Sequence, residues 1–323
     1  MVVREYLGIY LRGIAMGAAD AVPGVSGGTI ALITGIYGRL VTAIADLDPQ
    51  ALALLPGVTT ADGRTRLRRR LIEMDVPFLM ALGLGIVTAL VTVARAVEWA
   101  YHAYPALLFA FFFGLIAASA VVLRDQIDVG TSWRLFAGVL GVTLGVFVSA
   151  VVGNALPSTL PVLFVVGAIA ISAMILPGVS GSLILLLFGQ YVYLTGTLSS
   201  FVDSLIGVAR GGSVDPVVEY GTVVVTFCLG AVVGLFSVAH AVDYALEHYR
   251  EATLTFLVAL MVGALYYPAA EVADEVTVWT PTATAGILVA AVVGAAVVLV
   301  VDHVTGDIDL DGDVDERPAP TVK

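Results

Sequence analysis

The chain has 323 residues, of which 59% are hydrophobic and only 13% charged, and its mean hydropathy is +1.00. A soluble domain needs roughly a quarter of its residues charged to cover its surface, so composition excludes a soluble globule and points to an all-α polytopic membrane protein. Fifteen basic against 26 acidic residues give a formal charge of −11, which argues against nucleic acid as a partner, because that needs a basic face to neutralise phosphates.

The basic residues are almost all arginine, with lysine only at Lys323, an acid-rich and lysine-poor style typical of salt-loving archaea. The single cysteine, Cys228, sits in an apolar run and cannot form an internal disulfide. No cleavage site follows the first apolar residues, so the N-terminus is expected to be retained.

In chain order, a long apolar stretch at about 7–45 is followed by predicted spans at 77–97, 105–123 and 134–153. A second long stretch at 161–199 is followed by spans at 217–240, 253–270 and 281–301. Laid over each other with a shift of 154, residues 13–40 and 167–194 agree at 12 of 28 positions without a gap, including Pro-Gly-Val-Ser-Gly and the Gly-x-Tyr that follows it. The chain thus reads as a duplication, with a first half at 1–160, a second at 161–301 and an acidic, disordered tail at 302–323.

Each long stretch, about 39 residues, exceeds the roughly 20 residues of helix that cross a bilayer. Proline removes a backbone donor and clashes with the preceding turn, whereas glycine tolerates a sharp reversal. Each stretch is therefore expected to be a broken or re-entrant helical hairpin with arms of roughly 16 residues, about 24 Å; two full crossings stay open as an alternative. If both ends of each hairpin lie on one side, the halves are inverted, and 13 of the 15 basic residues fall on one side with only Arg95 and Arg210 on the other. The positive-inside rule makes the richer side cytoplasmic, with both termini and the RTRLRRR loop (64–70) inside. That loop is read first as a topology signal and second as a contact for anionic lipid heads.

The candidate site lies at the two hairpin tips. An unwound loop within a bilayer survives only when packed in protein or lining a polar cavity. Paired interrupted segments at corresponding positions of two halves mark a transporter's binding site. The backbone around Pro23, Gly24, Gly27, Gly28, Pro177, Gly178 and Gly181 offers amides, and Ser26, Thr29, Ser180 and Ser182 offer neutral hydroxyls, a donor set suited to an anion such as phosphate or carboxylate. The serines could instead cap their own helices. Asp20, whose counterpart is Met174, could carry a proton or tie down the amides of the first loop. Arg12 and Arg39 are further candidates for attracting an anion, with snorkelling to the head groups as the alternative. The histidines at 102, 240, 248 and 303 form no metal-ligand motif. The tail DIDLDGDVDE starts like a calcium loop but has Pro318 where the twelfth-position glutamate belongs. No cofactor is expected, and proton or sodium coupling and the oligomeric state are left open.

GAADAVPGVSGGT at the first hairpin, with LPGVSGS and LLFGQY at the second, resembles the polyprenyl-phosphate transporter family, formerly domain-of-unknown-function family 368, over about residues 7–301. The resemblance implies a flippase in the cytoplasmic membrane that returns an isoprenoid phosphate carrier, undecaprenyl phosphate in bacteria or dolichyl phosphate in an archaeon, for reuse in cell-envelope glycan synthesis. It carries over Asp20, Pro23, Gly24, Ser26, Gly27, Gly28, Thr29, Pro177, Gly178, Ser180, Gly181 and Ser182. The partners it implies are polyprenyl phosphate and membrane lipids. A membrane polyprenyl-diphosphate phosphatase is the alternative, because its Pro-Gly-x-Ser-Arg-Ser loop is similar to PGVSGG and PGVSGS. Here, however, glycine stands where the phosphatase arginine would be, and the hairpins hold no glutamate pair for proton transfer. An anion or small-solute channel is a third reading.

Overall fold

The computed structural model describes residues 2–48, 59–152, 156–174 and 180–306. Among these residues there are thirteen α-helices and no strands. The first half holds α1 (Val2–Ala21), α2 (Gly27–Ile33), α3 (Tyr37–Ala45), α4 (Ala61–Glu73), α5 (Val76–Ala103), α6 (Pro105–Val122) and α7 (Ser132–Phe147), the last running into a π-helical turn, Val148–Val152. The second holds α8 (Leu160–Ala173), α9 (Gly181–Leu187), α10 (Tyr191–Ala209), α11 (Asp215–Ala264), α12 (Tyr266–Glu275) and α13 (Pro281–Gly306). Helix α11 is two helices merged across a kink at Tyr249 (φ −137°, ψ 40°). Seven helical segments among the described residues are long and apolar enough to cross a membrane.

Five of the helices start where the chain supplies proline. Pro77, Pro105, Pro161, Pro216 and Pro281 each occupy the first or second position of α5, α6, α8, α11 and α13, where a missing N–H costs nothing and the fixed φ suits the first turn.

The duplication holds at the level of single residues. α2 (27–33) and α9 (181–187) start and stop at the same positions after the shift of 154, as do the starts of α3 and α10 at Tyr37 and Tyr191. Ser26 and Ser180 share an extended backbone ahead of these helices, and Gly35 and Gly189 share a left-handed φ, 68° and 65°. That left-handed glycine breaks the returning arm of the first hairpin, where α2 and α3 meet at 115°. The expected pair of equal arms is thereby corrected: α1 is one 20-residue arm, and the return is two short helices.

Glycine contacts give the helix directions, because a missing Cβ marks where two backbones touch. Gly13 lies against the Leu82 carbonyl and Gly17 against that of Ile86, so α1 and α5 run parallel. The first hairpin therefore returns the chain to the end at which α1 began. In the second half Gly230 meets Phe164 and Gly234 meets Ala168, so α8 and the first part of α11 are parallel too. Gly141 touches Phe256, and Gly145 touches Leu260 and Gly263, making α7 parallel to the second part of α11. α6 opposes that part, since Phe109 near its start meets Tyr267 edge-on (5.8 Å between ring centres) while Asp128 beyond its end bonds Thr255 (3.0 Å). Leu107 meets Gly286, and Gly114 meets Ala291, so α13 runs with α6. The closing helices α7 and α13 of the two halves consequently run in opposite directions, and so do α6 and its counterpart in α11. The repeat is inverted.

Charges follow this geometry. Arg39 bonds Asp75 (2.6 Å) and Glu5 (3.5 Å), and Arg134 bonds Glu251 (2.9 Å), all at the end where α1 begins, here called the base. Arg95 pairs with Asp203 near the opposite end, between α5 and α10. Of the thirteen described arginines, only Arg95 and Arg210 belong to that far end. The RTRLRRR segment is helix α4 rather than a loop, and residues 302–306, expected in the tail, complete α13. Residues 307–323, with the calcium-loop-like sequence, lie outside the described residues.

Candidate functional site

The two hairpin tips meet. The turn after α1 closes through Val22 N–H to Ala19 C=O (3.2 Å) and Val25 N–H to Val22 C=O (3.4 Å). Pro23, Gly24 and Val25 are buried, and Gly24 takes φ 93°, a value that L side chains rarely adopt. α6 receives this turn: the Ser119 hydroxyl donates to the Gly24 carbonyl at 2.7 Å. From the second half, the Tyr191 hydroxyl donates to Ala21 C=O at 2.7 Å and that of Ser180 reaches Val22 C=O at 3.4 Å. Ala19, Val25, Leu183, Leu186, Leu187 and Tyr191 share one apolar core with Phe109, Phe112, Leu115 and Ile116 of α6. The loop carbonyls that an unwound segment exposes are thus taken up by protein donors, the condition under which such a loop persists away from water.

Asp20 bends back onto the helix that follows. Its Oδ1 accepts from the Gly27 N–H at 2.6 Å, so a carboxylate, and not the Ser26 hydroxyl, satisfies the first amide of α2. Ser26 makes no side-chain cap, and neither does Ser180, which corrects the reading of these serines as caps. A Cβ on Gly27 would fall inside the Asp20 carboxylate, so Gly27 is glycine because Asp20 is there. The second half keeps the same packing with different chemistry: Met174 stands in for Asp20, and a Cβ on Gly181 would sit 2.9 Å from its sulfur.

The hydroxyls divide unevenly. Ser180 and Ser182 are buried and bond each other at 2.5 Å. Ser26, Gly28 and Thr29 are half-buried, and the Ser26 and Thr29 hydroxyls have no hydrogen-bond partner among the described residues. The hydroxyls without a hydrogen-bond partner among the described residues of the two tips therefore belong to the first hairpin. Pro177 and Gly178 lie outside the described residues. Two predicted candidates are not brought to the tips. Arg12 is exposed in the middle of α1, and Arg39 is held at the base by Asp75 and Glu5, with its guanidinium 4.4 Å from the Phe78 ring centre. Sequence reasoning missed Ser119 and Tyr191. Ser119 is a lone hydroxyl in an apolar span, and Tyr191 is buried while its repeat partner Tyr37 is exposed.

Two broken hairpins, oppositely oriented and touching at their tips within a bundle of long apolar helices, define a polytopic membrane protein of the inverted-repeat architecture that many secondary transporters use. The chain belongs to the VCA0040-like family, described as undecaprenyl phosphate translocase-like, whose family model matches residues 16–285 and so includes both tips. It is 38% identical over 262 residues to a polyprenyl-phosphate transporter of Vibrio cholerae, covering 81% of this chain and 77% of that protein. It is 24% identical over 311 residues to a polyprenyl-phosphate transporter of Staphylococcus aureus, covering 92% and 96%. No solved structure matches it.

Proposed function

We propose that this protein is a flippase for a polyprenyl phosphate, undecaprenyl or dolichyl phosphate, and that the phosphate head crosses between the two hairpin tips while the isoprenoid tail stays in the bilayer. The observation that carries this reading is the meeting of the oppositely oriented tips, Ser180 against Val22, beside the unengaged hydroxyls of Ser26 and Thr29. A charged head cannot cross hydrocarbon unaided, whereas the tail is at home throughout; the protein need only shelter the head. Relatives named as polyprenyl-phosphate transporters support the substrate class.

In this reading the hairpins are re-entrant, each half (1–160 and 161–301) supplies one tip, and the closed contact between tips parts on alternate sides. The arginine-rich base faces the cytoplasm by the positive-inside rule, which puts the protein in the cytoplasmic membrane with both termini inside. Asp20 holds the first tip in shape and is the candidate for proton coupling. Because the hydroxyls and amides at the tips supply anion contacts without a basic group or a general acid–base pair, transport rather than phosphoryl transfer is the expected outcome.

The test is reconstitution. Purified protein in liposomes with labelled undecaprenyl or dolichyl phosphate should move the head group between leaflets. Release of inorganic phosphate from the diphosphate would establish the phosphatase instead, and chloride flux without lipid movement would establish a channel.

A further inference from the structure

The two hairpins are alike in backbone and unlike in surroundings. Helices α2 and α9 start and stop at matching positions, and their returning arms repeat Ile30 as Ile184, Leu32 as Leu186 and Tyr37 as Tyr191. Yet Leu186 and Tyr191 are 1% and 2% exposed, whereas Leu32 and Tyr37 are both 46% exposed. The difference therefore lies in how each unit is docked and not in how it is folded.

The docked unit closes the far end. The Tyr191 hydroxyl is bonded to the Ala21 carbonyl of the first tip, and its ring meets Phe112 of α6 edge-on at 5.3 Å between centres. Phe112 leads to Phe109 (6.3 Å) and Phe109 to Tyr267 (5.8 Å), so a column of aromatic rings fills the path from the tips toward the far end. There the ion pair of Arg95 with Asp203 ties α10 to α5. The base side has the same tyrosine without the closure: the Tyr37 hydroxyl has no hydrogen-bond partner, and its ring no ring partner, among the described residues.

Alternating access in an inverted repeat is largely a rigid-body movement of one repeat against the other, so the opposite state is reached when the two units exchange surroundings. We infer that Tyr37 and Tyr191 are alternating gates. In the present state, open toward the base, Tyr191 seals the far side; in the opposite state Tyr191 leaves Ala21, and Tyr37 turns against the second tip and seals the base. This rests on the transport reading for its two states but not on which lipid is moved.

The experiment follows Leu186→Cys, on a Cys228→Ser background of the full chain in liposomes, by its rate of labelling with a membrane-impermeant maleimide at the far face. A thiol reacts as the thiolate, so one that is packed or faces lipid stays silent, and the rate reports how often the far side opens. Tyr191→Phe removes a contact of the present state and should speed labelling about fivefold, whereas Tyr37→Phe removes one of the opposite state and should slow it about fivefold. Tyrosines that only support the fold give no such opposition. Leu32→Cys serves if Leu186→Cys does not fold: it should be labelled from the base alone, and more slowly in Tyr191→Phe than in Tyr37→Phe. Equal shifts in both tyrosine variants, no shift in either, or a Leu32→Cys that is unreactive from the base would each overturn the proposal. No polyprenyl phosphate is present, so a protein that passes this assay and fails to flip the lipid would refute the substrate and not the gates.

Discussion

At the scale of single residues, the first tip depends on the contact between Asp20 and Gly27. A charged acceptor on a backbone N–H is stronger than a neutral one by roughly twofold, and the acceptor here also shapes the turn. Gly27→Ala should displace the carboxylate and destabilise the protein by about 1–3 kcal/mol. Gly28→Ala, whose added carbon would come no nearer than 3.5 Å to Ser26 Oγ, should stay within about 0.5 kcal/mol. Thermal unfolding of the two variants in detergent checks the difference. Asp20→Asn keeps an acceptor but loses the charge, and lipid transport is expected to fall about tenfold, the equivalent of about 1.4 kcal/mol. Unchanged transport at every pH would remove Asp20 from the mechanism. Asp20 was recognisable from sequence as an acid near a break, but its partner was not. The bond to Gly27 spans a reversal of seven residues, and only the folded turn brings them together.

Among the helices, legibility followed how local the cause was. The spans, the shift of 154 and the two hairpins were readable because apolar length and a repeated Pro-Gly-Val-Ser-Gly are properties of contiguous sequence. The Gly-x-Tyr at 35–37 and 189–191 was legible only as a match between the halves; that its glycine is left-handed and ends the short helix before it emerges only with the backbone. α4 escaped as a helix because five arginines within seven residues read as a polar connector, although Thr60 accepts from Gly63 N–H (3.0 Å) as a capping residue should. Cross-half contacts were unreadable, since they depend on which faces the inverted halves present to each other. One such contact has a direct test. Tyr191→Phe removes the hydroxyl that serves the Ala21 carbonyl and leaves that acceptor without it, so stability should fall by about 1 kcal/mol or somewhat more. Tyr37→Phe, at the exposed repeat position, should change little by the same unfolding measurement.

For the molecule as a whole, inversion is what brings the two similar tips against each other from opposite sides. Parallel pairs α1 with α5, and α8 with the first part of α11, return each hairpin to its starting end, and the antiparallel relation of α7 to α13 sets the halves against each other. The sidedness has a simple check on a background lacking Cys228. A membrane-impermeant maleimide should label Arg66→Cys from the cytoplasmic face and Ser213→Cys from the opposite face; labelling of both from one face would contradict the assigned topology.

Most direct is photo-crosslinking with a polyprenyl phosphate that carries its reactive group beside the phosphate, followed by peptide mapping of the reconstituted protein. Adducts are expected on both hairpins, around Ser26–Thr29 and around Ser180–Ser182, and should be competed by unlabelled polyprenyl phosphate. Adducts confined to one hairpin, or found only at the base and surface loops, would contradict a shared site between the tips.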